Sequence, residues 1–393
     1  MKRKLLEGIR VIDFTRYIAG PLTTKHLSDL GAEVIRIESK RALDPQRNAP
    51  TASFNQYNTG KLSISLNVAT AKGLELAKRL IVQSDIVVEN FAGGSMEKMG
   101  LGYEVLKDLK QDIIVLSCCM QGQTGPLAKH PGLGFQLTAL VGINNILGWP
   151  DREMGWLGAY TDFVVPLFGS ISIMAALEYR HRTGKGMYLD LSQFEVGLQF
   201  IAPLILEYAV NKHIASRIGN KYPNAAPHNA YRCLGEDRWC AISVFTDEEW
   251  KSFCTVIGNP TWTTDPRFAT LLARKENEDE LDTLINEWTS RHSAEEVMKM
   301  MQEAEIAAGV VETGEDLLDK DLQLKHRGTF IELEHPEAKR YRTQSGPRFL
   351  LSKYKYEVKR APLLGEHNEY VFKKILGLQD SEYDQLIKDG IIY

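Results

Sequence analysis

Cysteine is scarce in this sequence, with five among 393 residues. Cys118 and Cys119 are adjacent at the end of an apolar segment, while Cys233, Cys240 and Cys254 lack the C-x-x-C spacing of a zinc site. No disulfide framework is expected, and a reducing, cytoplasmic location follows. A surplus of either charge is lacking too: 47 Lys+Arg stand against 51 Asp+Glu, a net charge of −4. General affinity for nucleic acid or anionic lipid needs a basic surplus, so neither partner is expected. The longest uncharged apolar run, residues 163–177, has 15 residues and contains Pro166 and Gly169. A membrane span needs about 20 residues, so this run is expected to be a buried core helix. The first 14 residues are basic without a long apolar stretch and read as the lead-in to a strand, not as a signal peptide.

Several motifs are missing as well. The turn at residues 15–21, TRYIAGP, has one glycine where a dinucleotide enzyme shows G-x-G-x-x-G, and Pro21 removes a backbone N–H. Glu38 sits where a ribose-binding acid would, but without the glycines no nicotinamide or flavin site is expected. The phosphate-binding G-x-x-x-x-G-K-[ST] and the G-x-S-x-G nucleophile elbow are absent, and the nine histidines never form H-E-x-x-H. A metal hydrolase is thereby excluded, and no metal site is expected.

The composition that is present, 44% apolar and 25% charged, belongs to a folded globular protein. Single cores stop growing beyond about 250–300 residues, which predicts two domains. Strand-like segments at 9–14, 33–38, 62–66, 86–89 and 113–118 alternate with helical spacing at 22–30 and 71–84. Such alternation predicts a parallel sheet covered by helices, with ligands at the carboxyl ends of the strands. Residues 163–210 read as helices broken by a turn at 183–186 and a short strand at 187–191. Residues 232–245 read as a hairpin turning at 235–237. Residues 276–305 hold ten acids and two basic residues in amphipathic helices, one of them opened by a capping box at Ser293 and Glu296. The expected class is α/β: a Rossmann-like parallel-sheet large domain (residues 1–210, resumed at 328–393) with an inserted small α+β domain at 222–325.

Asp162 is the residue with the most chemical promise. It stands before the apolar run, where an Asp is ordinarily an N-cap. The functional alternative is a carboxylate at the mouth of the sheet beside free N–H groups, ionised at neutral pH and able to attack without a general base. Residues 89–102, ENFAGGSMEKMGLG, follow a strand and carry glycines that let backbone approach a ligand; Lys98 would meet a phosphate or stay solvated. Residues 339–360 hold eight basic residues and one acid, interleaved with Tyr341, Phe349, Tyr354 and Tyr356. Alternation over 353–359 fits an edge strand guarded by lysine better than a nucleic-acid stripe.

Taken in order, GIRVIDFTRYIAGP (8–21), GAEVIRIE (31–38), VVENFAGGSMEKMGLGYE (87–104), YRHRTGKG (179–186) and LLGEH (363–367) resemble the class III CoA-transferases. That is the family of formyl-CoA, carnitine and benzylsuccinate CoA-transferases, and the likeness runs from about residue 6 to 378. It implies two chains threaded as interlocked rings, a homodimer whose substrates are an acyl-CoA and a carboxylic acid, with no permanently bound cofactor. It aligns the family's catalytic aspartate with Asp162. It aligns CoA or substrate contacts with Ile18, Ala19, Leu66 (beside the adenine), Asn90, Phe91, Lys98, Phe135 and Gln136. The implied route is an aspartyl mixed anhydride followed by an aspartyl-CoA thioester. Formyl-CoA enzymes have Gln where this chain has Ile18, and a run of glycines where residues 244–247 have none. A larger or more apolar acid than oxalate is therefore expected. The α-methylacyl-CoA racemases share this fold, but their His-Asp pair falls at Phe135-Gln136, where neither side chain exchanges a proton.

Overall fold

The computed structural model describes residues 4–49, 53–346 and 349–393. The chain divides into two compact units, one formed by Met1–Ile143, Leu157–His213 and Gln323–Tyr393, the other by Asn144–Trp156 and Ile214–Leu322. Residues 144–156, assigned by sequence to the first body, thus belong to the second.

The first unit is built on six parallel strands: β1 (Arg10–Asp13), β2 (Glu33–Glu38), β3 (Leu62–Ser65), β4 (Ile86–Glu89), β5 (Ile114–Cys119) and β6 (Met187–Ser192). Their order is β3-β2-β1-β4-β5-β6, every pairing parallel. The order reverses between β1 and β4, which opens a crevice at the carboxyl ends of those two strands. Helices α1 (Ala19–Asp29), α2 (Ala71–Val82), α3 (Gly134–Val141) and α4 (Tyr160–Thr183) follow in chain order. One sheet face is covered by Leu76, Leu80 and Ile81 of α2, together with Phe372, Leu386 and Ile392 from the end of the chain. On the other face lie Leu27 of α1 and Val165, Ile173 and Ala176 of α4. Gly169 lets α1 and α4 pack closely, since a Cβ there would stand 2.9 Å from Thr23 Cγ2.

Helix α4 differs from expectation in two ways. It begins at Tyr160, so Asp162 is the third residue of its first turn and not the cap; the cap position is Ala159. Nor is it a buried core helix, because only one face packs inward while Leu167 and Ile171 are 52% and 67% exposed. By length and composition this helix is apolar enough to cross a membrane. Helix α1 starts at Ala19, three residues before the expected 22, because Pro21 falls in the first turn, where no intrahelical donor is needed.

Beneath the crevice lies a buried ionic cluster. Lys61 Nζ donates to Asp13 Oδ2 (2.9 Å), Asn58 Oδ1 (2.8 Å) and the Pro21 carbonyl (2.9 Å). Arg36 donates to Asp44 Oδ2 at 2.5 Å and lies 3.6 Å from Asp13 Oδ2. Burial alone would push the Asp13 carboxyl up, but Lys61 and Arg36 outweigh it and hold the group below its ordinary range. Burial pulls the Lys61 ammonium down to about 8 in spite of Asp13. Removing one member strands its partners, so Lys61→Met is expected to cost about 3–5 kcal/mol in urea unfolding. A loss below about 1 kcal/mol would show that the cluster does not hold the β1–α1 turn.

The chain's last segment forms a hairpin of Phe330–His335 and Lys339–Gln344 and then the helix Asp380–Lys388. Residues 353–359 form no strand, contrary to their alternation. The hairpin pairs within itself, and Tyr354 Oη instead donates to the Asp29 carbonyl (3.3 Å) while Glu357 pairs with Lys4 (3.0 Å). Two members of the basic stripe are paired with acids, Arg340 with Glu332 and Glu334 and Arg360 with Glu366; Arg348 lies outside the described residues.

The second unit has a three-stranded antiparallel sheet of His228–Arg232, Trp239–Ser243 and Ala307–Val310. Helices Asp247–Val256, Glu278–Thr289 and Ala294–Glu303 enclose a core of Tyr231, Phe253, Ile285, Val297 and Met301. The hairpin turns where the sequence predicts, but its first strand is His228–Arg232, four residues ahead of the expected start at 232. The Ser293–Glu296 capping box occurs as predicted, Glu296 N donating to Ser293 Oγ (3.2 Å) and Ser293 N to Glu296 Oε2 (2.9 Å).

Candidate active site

At the switch point the β1–α1 turn is shaped by short-range bonds. Asp13 Oδ1 accepts from Thr15 N (2.8 Å) and Thr15 Oγ1 (2.5 Å). Tyr17 is held in the left-handed region, φ 66°, where a non-glycine residue is strained. Gly20 is required by close approach, since a Cβ there would lie 2.5 Å from Thr15 Cβ and 3.0 Å from Asn90 Cγ. Asn90, the first residue after β4, ties the two crevice walls together. Its Oδ1 accepts from Arg16 N and its Nδ2 donates to Arg16 O, both at 2.8 Å.

Between these walls is a pocket of about 200 Å³, lined by Tyr17, Ile18, Ala19, Asn90, Ala92, Met120, residues 130–134, Asp162 and Gln193. Asp162 reaches it from the first turn of α4. Its N–H donates to Ala159 O (3.0 Å), and α4 has no side-chain cap. Among the described residues no hydrogen bond or ion pair to the Asp162 carboxylate is found. Burial lifts the carboxyl from its ordinary 3.8 to about 6, with no cation to offset it. The contrast with Asp13, also buried but cation-paired, is direct. Gly134 forms the adjoining wall: a Cβ there would stand 2.5 Å from Asp162 Oδ2 and 2.6 Å from Cγ. Both α3 and α4 begin at this pocket, so the positive ends of two helices face the same space.

Four of the residues singled out by sequence, Ile18, Ala19, Asn90 and Asp162, therefore line one pocket. The other five lie outside its wall. The Leu66 side chain is in the core, 1% exposed. Phe91 packs against that same core, and its N–H donates to Glu89 Oε2 (2.6 Å). Lys98 is exposed at the end of the short helix Ser95–Lys98. Phe135 is 43% exposed on α3, and Gln136 turns back to accept from Leu133 N (2.9 Å). Tyr17, Gly134, Met120, His130 and Gln193 were missed. Only Gly134, in the run Gly132-Leu133-Gly134, carried a local signal of close backbone approach.

A desolvated carboxylate without a cation, set at the starts of two helices, is equipped to attack an acyl carbon or to take up a proton. Residues 6–368 match the family model of CoA-transferase family III. The succinyl-CoA–D-citramalate CoA-transferase of Chloroflexus aurantiacus is 33% identical, covering 98% of each chain. The succinyl-CoA:glutarate CoA-transferase of Mus musculus is 30% identical over 99% of this chain and 90% of its own. Among solved structures, a CAIB/BAIF family protein from Brucella suis superposes with a TM-score of 0.87 at 31% identity, covering 94% of this chain and 99% of that one. Fold, full-length match and relatives agree, and the chain belongs to CoA-transferase family III as an enzyme of that class.

Proposed function

We propose that Asp162 is the nucleophile that carries CoA from an acyl-CoA donor to a carboxylic acid. The observation that supports this most is its uncompensated, desolvated carboxylate beside Gly134. An Asp162 oxygen adds to the thioester carbonyl, the C–S bond breaks, and CoA leaves as thiolate, giving a mixed anhydride. The thiolate then attacks the Asp162 acyl carbon, releasing the donor acid and leaving an aspartyl-CoA thioester. The acceptor carboxylate attacks that thioester carbonyl, and its C–S bond breaks to give a second mixed anhydride and CoA thiolate. The thiolate then attacks the acceptor acyl carbon, forming the new acyl-CoA and freeing the Asp162 carboxylate. Each step exchanges one activated acyl bond for another, so the balance needs no electron carrier or metal. The helix starts at the pocket suit the oxyanion formed at each addition. Ile18, Ala19 and Asn90 are the proposed CoA contacts inside the pocket; Leu66, Phe91, Lys98, Phe135 and Gln136 are proposed to contact the substrate beyond it.

The relatives named for succinyl-CoA support succinyl-CoA as the donor. We also propose a cytoplasmic homodimer, interlocked as the family resemblance implies. The apolar residues Ile171, Leu206 and Val210, 67%, 63% and 68% exposed, would be covered by the second chain.

The test is to supply succinyl-CoA with a panel of carboxylic acids and chromatograph the thioesters. A new thioester with at least one acid is expected, whereas hydrolysis alone would overturn the reading. Solvent deuterium at the substrate α-carbon would favour a racemase. Because the nucleophile must be ionised, kcat/KM is expected to fall tenfold per pH step below about 6, following Asp162. A flat profile from pH 5 to 8 would remove Asp162 from the rate equation.

A further inference from the structure

Gln123 follows β5 and lies outside the pocket wall, yet its polar atoms join three segments. Its Oε1 accepts from Gly94 N (3.3 Å), and its Nε2 donates to Glu89 Oε1 (3.2 Å) and to the Phe91 carbonyl (3.4 Å). Its main-chain N–H donates to both oxygens of Asp190 on β6, at 3.0 and 3.1 Å. A further tie runs from Gly93 N to Ala128 O (2.9 Å), and a Cβ on Gly93 would stand 2.8 Å from Gln123 O. Residues 91–94 are thus clamped at both ends of the Gln123 amide. Ala92 of that clamped loop and Asn90, between the Gln123 partners Glu89 and Phe91, face the pocket, and Asn90 in turn holds Arg16, two residues before Ile18.

We propose that Gln123 is a positioning residue for acyl-CoA: by fixing 91–94 it sets Asn90 and, through Arg16, the Ile18 wall of the pocket. The proposal rests on the reading of this pocket as the acyl-CoA site. The two amide atoms of Gln123 match their partners in sense, one accepting from an N–H and the other donating to a carboxylate and a carbonyl. A carboxylate in its place would meet Glu89 head-on. Burial already pushes Glu89 up to about 7. Around it stand Ser117, Cys118 and Cys119 of β5, Tyr188 and Asp190 of β6, and Glu97, whose charge and that of Asp190 push the same way as burial.

Two variants test this, Gln123→Ala and Gln123→Glu, with succinyl-CoA kinetics, calorimetric titration of CoA and amide exchange at 91–94. For Gln123→Ala, KM for succinyl-CoA and Kd for CoA are expected to rise roughly tenfold, with kcat within about threefold and faster exchange at 91–94. Gln123→Glu is expected to bind like the parent near pH 6, where the new carboxylate and Glu89 share a proton, and to weaken steadily toward pH 8. Unchanged KM and Kd in Gln123→Ala would overturn the proposal. So would equal losses in kcat and kcat/KM without pH rescue in Gln123→Glu, or unfolding of both variants. A parent that binds CoA but transfers none would instead sink the transferase reading and leave the Kd and exchange comparison to decide Gln123.

Discussion

Asp162→Asn is expected to lose transfer activity by roughly 10⁴-fold or more and, at neutral pH, to be more stable than the parent. The two effects share one cause. Folding places Asp162 where burial lifts its carboxyl from 3.8 to about 6, so holding the ionised form there opposes folding. The full displacement corresponds to about 3 kcal/mol, and solvent at the pocket mouth reduces this to about 2 kcal/mol. Asparagine keeps the size and removes the charge. The sign follows from the two titrations. Below pH 3.8 the carboxyl is protonated folded and unfolded, and the variant gains nothing. Between 3.8 and 6 the parent loses stability as the unfolded chain ionises first, and above 6 the difference is complete. Urea unfolding at pH 3 and pH 8 checks this: the gain should appear at pH 8 and be nearly absent at pH 3. A variant less stable at both values would mean that the carboxylate supports the fold. Natural sites that keep a destabilising group do so for function.

The second large effect is expected at Gly134. Its φ is not in the left-handed region, so alanine suits the backbone, and helix propensity alone would favour the change by up to about 1 kcal/mol. The added Cβ, however, would fall 2.5 Å from Asp162 Oδ2 and 2.8 Å from Ala159 Cβ. Either the carboxylate rotates or α3 moves, and misplacement by about 1 Å costs on the order of 10²-fold in rate. Gly134→Ala is therefore expected to lower kcat about 10²-fold while the chain stays folded by circular dichroism. A kcat within about twofold of the parent would show that the carboxylate does not react from this position.

Much of the sheet was legible because buried parallel strands leave continuous apolar runs. The bounds of Glu33–Glu38 and Ile86–Glu89 match the expectation residue for residue. Asp162 was legible as a candidate, since an isolated acid at the head of an apolar run is conspicuous. Its place in the first turn was not, because Tyr160 and Thr161 carry no periodic signal. The alternation at 353–359 misled for the opposite reason: a period of two needs a partner strand, and the hairpin beside it pairs only with itself. The Asn90–Arg16 tie, the Gly134 approach and the Gln123 clamp join residues between 28 and 74 positions apart. Such contacts exist only after the strands are ordered, so no local spacing announces them. The placement of Leu66 in the core shows the complementary limit, for a family alignment names a position without saying whether its side chain or its backbone meets the ligand.

The account depends on a covalent bond to Asp162, and trapping it is the most direct measurement. The protein is incubated with succinyl-CoA, quenched with hydroxylamine and digested, and the peptide spanning Asp162 is examined by mass spectrometry. The account predicts a hydroxamate on Asp162, formed from the anhydride or the thioester and absent without succinyl-CoA. An unmodified Asp162 in protein that is turning over would contradict it.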